Sequence, residues 1–132
     1  MKKFTAKTLK KKFINFFIKK NHINCTTQNI IKKNDISILF INAGMVPFKE
    51  LFLNTLKKYQ NKISIQKCIR LKDIKNVGKT NCHHTFFEML GNFSFGNYFK
   101  KETICYAWEF LTKIIKIPIE HLIVTIHTKD NE

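Results

Sequence analysis

Two runs of alternating residue character, separated by a polar loop, restrict this chain more than any other feature. In Lys62 to Arg70 (KISIQKCIR) the alternation puts Ile63, Ile65 and Ile69 on one face and Ser64, Gln66, Cys68 and Arg70 on the other. A period of two is the signature of a half-buried strand, so Arg70 ends a polar strand face. The loop from Leu71 to Asn81 contains Gly78 and leads to a second run, HHTFFEML, with His83, Thr85, Phe87 and Met89 on one face and His84, Phe86, Glu88 and Leu90 on the other. The pair reads as an antiparallel hairpin.

Other periods surround it. Leu9, Phe13, Phe16 and Phe17 recur at helical spacing among lysines, which predicts an amphipathic helix over residues 5 to 20 that ends at Asn21. Ile36 to Ile41 (ISILFI) has the length and β-branching of a buried strand, followed by a turn at Asn42, Ala43 and Gly44. Pro47 then opens a short helix whose apolar side is Phe48, Leu51 and Phe52. Gly91-Asn92 reads as a turn. A helix from about Lys101 to Lys113 follows, with Ile104, Ala107, Trp108 and Leu111 inward; Pro118 breaks it before a strand from Leu122 to His127. Helices between strands with an antiparallel pair at the centre define an α+β fold. At 132 residues the chain is sized for one domain.

Charge points to a partner class only after a correction. The chain carries 24 basic and 9 acidic residues, a formal +15, which suits a polyanion such as nucleic acid. Yet Lys, Asn, Ile and Phe crowd the sequence while Gly, Ala and Pro are scarce, the mark of an A/T-rich genome, so much of the charge reads as drift onto solvated faces. Against that background the single arginine, Arg70, stands out. Lysine is a point charge, whereas a guanidinium is a planar fork that grips phosphate or carboxylate through two donors. Four cysteines, Cys25, Cys68, Cys82 and Cys105, form no CxxC pair, so reduced thiols of a cytoplasmic protein are expected. Cys82, His83 and His84 are consecutive and cannot converge on one ion from a strand, which argues against zinc. The apolar stretch Phe13 to Ile18 is interrupted by Asn15 and lacks a cleavage site, and no apolar run reaches the ~20 residues of a membrane span. A soluble protein without a membrane partner is expected.

The segment HHTFFEMLGNFSFGNYFKKE, residues 83 to 102, closely resembles the motif 2 region of the alanyl-tRNA synthetase family, a branch of the class II aminoacyl-tRNA synthetases. LFINAGMVPFKELFL (39 to 53), KCIR (67 to 70), NVGKT (76 to 80) and AWEFLT (107 to 112) match in the family's order, so the resemblance runs from about Leu9 to Glu132. It implies a partial class II synthetase fold, an antiparallel sheet flanked by helices, with residues 1 to 132 forming a single truncated aminoacylation domain that holds the motif 1 and motif 2 regions. It further implies a ligase reaction: alanine and Mg-ATP give alanyl-adenylate and pyrophosphate, and the alanyl group then passes to the terminal ribose of tRNA(Ala).

By the same resemblance Arg70 is the motif 2 arginine, catalytic through its donors to the α-phosphate. The class pattern of His or Arg, three residues, then Phe falls on His83 and Phe87. Phe87 is thereby expected to stack on adenine and His83 to sit near the outer phosphates. Met89, on the Phe87 face, is a candidate for the amino-acid pocket, with a core methionine as the equal alternative. Glu88 and Asn92 match without an assignable role.

The chain departs from the family's pattern in several places. The motif 2 loop is shorter, with Leu71-Lys72-Asp73-Ile74 where a glycine-rich turn and a lysine are expected, which leaves Lys72 as the candidate phosphate-binding lysine. Lys32 stands where motif 1 has proline. Motif 3, the tRNA-recognition helices, the editing domain and the C-terminal domain have no counterpart up to Glu132. Half an ATP site is expected to be inactive or very weak alone, and to need a complementary chain carrying motif 3. A nonfunctional remnant and a small basic nucleic-acid-binding protein are the alternatives.

Overall fold

The computed structural model describes residues 4–32, 37–53 and 60–129. They form two compact units, residues 1–99 and 100–132.

The first unit is built on a three-stranded sheet in the order β1 (His22–Cys25), β2 (Gln60–Ile69), β3 (Phe86–Phe95). Helix α1 (Ala6–Ile18) begins at Thr5, whose hydroxyl accepts the Thr8 N–H at 3.2 Å and so satisfies one of the free donors of the first turn. Phe13, Phe16 and Phe17 are its buried stripe. The helix unwinds at Asn21, which takes the left-handed conformation (φ 61°) that asparagine tolerates. The chain then enters β1, which pairs parallel to β2 from His22 opposite Asn61 to Cys25 opposite Ser64. Sequence reasoning missed this strand because HINC carries no apolar alternation. The sheet is therefore mixed, with the predicted antiparallel pair, β2 and β3, running from Gln60 opposite Phe95 to Ile69 opposite Phe86.

The predicted hairpin holds, but its second strand is shifted. It starts at Phe86 rather than His83 and passes straight through Gly91-Asn92, where the sequence predicts a turn. Gly91 meets a packing need there. The Phe93 ring folds over it, and a Cβ at position 91 would lie 2.5 Å from the ring. The expected polar face of β2 is also not solvated: Ser64, Gln66 and Cys68 are buried along with Ile63.

The predicted strand Ile36 to Ile41 does not form. Ile36 lies outside the described residues, and residues 37–41 are turn and coil. Ile41 is nevertheless fully buried, its N–H donating to the Ile30 carbonyl (2.8 Å) and its carbonyl accepting from Ile69 N–H (2.9 Å). Those two bonds satisfy its backbone without a ladder. Pro47 sits in a 3₁₀ turn, Val46–Phe48, that runs into the short helix α2 (Lys49–Leu53), as expected of a proline at a helix start. Phe48 of that segment packs 5.1 Å from Phe93, and Phe52 packs 4.7 Å from Phe95.

The second unit holds α3 (Lys100–Glu109), which continues as a π-helical segment, Phe110–Ile115, and closes at Lys116 in the left-handed conformation (φ 64°). The inward stripe expected of this helix is not observed. Ile104, Ala107 and Trp108 are exposed and Phe110 is buried instead. The predicted strand Leu122 to His127 is likewise absent. The segment follows a 3₁₀ turn, Ile119–His121, as coil, with Ile123 and Ile126 turned outward. A β-branched run becomes a strand only beside a partner, and none pairs with it among the described residues.

Candidate functional site

Opposed residues of an antiparallel pair project to the same side, so the register sorts the two faces of the sheet. One face carries Ile63 and Ile69 with Phe86, Glu88, Leu90 and Asn92. It is turned toward α1, as an ion pair between Lys10 and Glu88 shows. Glu88, without a role in the sequence, thus fastens a helix to the sheet. Asn92 joins a polar cluster: its Nδ2 donates to the Tyr98 hydroxyl (3.4 Å), which lies 2.6 Å from Nε2 of buried His22. His22 Nδ1 faces the Lys20 carbonyl at 3.0 Å, and a carbonyl only accepts, so Nδ1 bears the proton and Nε2 accepts from Tyr98. Burial lowers the His22 pKa below its ordinary value, against backbone contacts that raise it.

The other face carries Gln66, Cys68 and Arg70 opposite Met89, Phe87 and Thr85, the ladder being extended one step by Arg70 N–H donating to the Thr85 carbonyl (2.9 Å). This is the face on which the candidate residues gather. Arg70 is exposed, but its guanidinium is not adrift. Nε donates to the Asn42 carbonyl at 3.0 Å, and Cζ lies 5.1 Å from the centroid of the Phe87 ring. A cation over a ring face is an attractive arrangement, and it leaves the two Nη groups to face a ligand. The charge is felt below: burial raises the Cys68 thiol pKa, and Arg70 acts in the opposite direction.

Beside the guanidinium lies an open groove of ≈ 510 Å³, walled by Leu39, Phe40 and Asn42 on one side and by Arg70, Lys72 and Asp73 on the other. Lys72 therefore reaches the same groove as Arg70, as the shortened loop requires if it is to serve there. Met89 is half-buried and its Sδ accepts the Gly44 N–H at 3.0 Å. Arg70, Phe87 and Met89 thus share one face of the strand pair, and Lys72 shares the groove with Arg70. His83 is not on their strand face, because β3 begins three residues later; its Nδ1 lies 2.7 Å from Thr80 Oγ1 and 3.6 Å from Cys82 Sγ. Among the described residues no three His, Cys, Asp or Glu converge as a metal site. Sequence reasoning assigned no role to Asn42 or Gly44, although both lie in a quoted matching string, because their contribution is main chain.

The strand pair thus ends in an arginine fork over an aromatic ring, beside a groove. The chain belongs to the family of class II tRNA synthetases (A), which it matches over residues 8–132. It is similar to the alanine-tRNA ligase of Francisella tularensis subsp. tularensis strain WY96-3418, with 54% identity over 97% of this chain. The same ligase from Francisella philomiragia subsp. philomiragia is 51% identical over 97% of this chain. The chain spans about 15% of the length of these relatives. No helix among the described residues is long and apolar enough to cross a membrane.

Proposed function

We propose that residues 1–132 are the part of an alanine-tRNA ligase catalytic domain that takes hold of ATP, and that they contribute to forming alanyl-adenylate for transfer to tRNA(Ala). The observation that carries this reading is the Arg70–Phe87 pair, a fork with free Nη groups above a ring and beside a groove. In-line attack of the alanine carboxylate on the α-phosphorus builds negative charge on the non-bridging oxygens as pyrophosphate leaves. Arg70 lies ready to receive that charge without reorganisation. Phe87 has two ring faces; the guanidinium covers one, and adenine stacks on the other. Lys72 and His83 serve the outer phosphates. Met89 borders the amino-acid side. Magnesium would come with the nucleotide and would neutralise phosphate charge beside Arg70 and Lys72, and zinc has no place in the scheme. A complementary chain carrying motif 3 supplies the second clamp, and the reaction takes place in the cytoplasm. The nonfunctional-remnant and RNA-binding readings predict no such dependence on a second chain.

Alanine-dependent ATP–pyrophosphate exchange tests this directly. The chain is mixed with a polypeptide comprising the remaining catalytic domain of the Francisella tularensis ligase. Exchange is expected in the mixture, and Arg70→Lys is expected to lower it ~100-fold or more, as removal of a preorganised donor does. Phe87→Leu should chiefly raise the KM for ATP, because stacking is present in ground and transition states alike. Exchange by Arg70→Lys within about twofold of wild type would remove the assigned role.

A further inference from the structure

Three backbone-centred contacts dock the Asn42–Gly44 turn onto the sheet. Ile69 N–H donates to the Ile41 carbonyl (2.9 Å), Arg70 Nε to the Asn42 carbonyl (3.0 Å), and Gly44 N–H to Met89 Sδ (3.0 Å). The turn lies close against β3: a Cβ on Gly44 would sit 3.3 Å from Met89 Sδ and 3.4 Å from the Phe93 ring. Two of these contacts hold the turn, and the third is where the turn holds Arg70. A thioether is a weak acceptor, but here it anchors the end of the turn opposite the end that fixes Ile41.

The consequence for Arg70 is geometric. A guanidinium can grip an oxyanion side-on, through Nε and one Nη, or end-on, through both Nη groups. With Nε committed to Asn42 and one face laid on Phe87, the end-on mode remains. We propose that Met89 is a positioning residue for Arg70: by holding Gly44 it fixes the Asn42 carbonyl, which orients the fork for end-on contact with a phosphate. This rests on the assignment of Arg70 to phosphate made above.

The experiment uses the full chain and a property of its sequence. Arg70 is the sole arginine, so the ¹⁵Nε–¹Hε spectrum of the whole protein holds one arginine resonance. In the wild type, Hε should exchange slowly with water. Met89→Leu preserves volume while deleting the sulfur acceptor, and should speed Hε exchange ~10-fold or more with the amide spectrum otherwise unchanged. Gly44→Ala, acting from the other end of the same contact, should do likewise and serves as the second variant if Met89→Leu compromises folding. Hε exchange within about twofold of wild type in the folded variants overturns the proposal. Titration with inorganic tripolyphosphate separates the underlying reading. Wild-type ¹⁵Nη resonances indifferent to it remove Arg70 from phosphate binding, while the exchange comparison still decides what Met89 does to the fork.

Discussion

His22 shows how a single buried side chain sets a pH limit on the fold. Its two ring nitrogens are both engaged, Nδ1–H with the Lys20 carbonyl and Nε2 with the Tyr98 hydroxyl, and the Phe17 ring meets it edge-on at 5.0 Å. Only the neutral ring can accept from Tyr98. Because burial lowers the pKa in the folded state, the unfolded chain binds the proton more readily between the ordinary value of 6.5 and the lowered one. Stability is thus fully present above 6.5 and falls as the pH drops through that window. Urea midpoints measured from pH 7.5 to 5.5 should decline in the wild type and decline less steeply in His22→Gln. An equal slope in both would assign the acid sensitivity elsewhere. Nothing in HINC announces this histidine, since its partners are a carbonyl two residues back and a tyrosine far along the chain. Arg70, by contrast, is conspicuous from composition alone.

Among the elements, the two long strands are legible because alternation is a local signal, and α1 because its three phenylalanines share a helical face. What the sequence could not show is context. Lys67 breaks the apolar face of β2 without breaking the strand, and the buried side of the strand reads as polar because Ser64, Gln66 and Cys68 are small or hydrogen-bonding. Gln66 is buried by meeting both backbone groups of Gln28, each at 3.0 Å. Ile36 to Ile41 and Leu122 to His127 have strand composition yet gain no ladder, since pairing depends on distant neighbours. Gly91 reads as a turn because glycine commonly marks one, whereas here it clears space for Phe93 inside β3. Its replacement is therefore informative: Gly91→Ala should destabilise by roughly 1 to 3 kcal/mol, as overpacking does. The Phe93 ring must give way, yet it is packed against Phe48 at 5.1 Å. A thermal midpoint unchanged from wild type would mean the ring moves freely.

On the scale of the molecule, β2 lies between two neighbours, while the outer edge of β3, ten residues long, pairs with no strand among the described residues. Such an edge is a template for another strand. The isolated chain should self-associate with rising concentration in sedimentation velocity runs, and Phe86→Lys, which charges the half-exposed start of that edge, should weaken the association. A monodisperse monomer at high concentration would count against an available edge. The closure of His22 on Tyr98 has another consequence, which concerns time. These residues stand 76 positions apart, and β1 must wait for β2, which begins at Gln60, before it has anything to pair with. During synthesis α1 and β1 leave the ribosome first and their partners follow much later, so the phenylalanines of α1 pass through an interval in which the sheet that covers them has not yet been made. Folds dominated by such distant contacts form slowly. The nascent chain is at its most aggregation-prone before Tyr98 emerges, and a chaperone that shields the Phe13–Phe17 stripe would matter most in that interval.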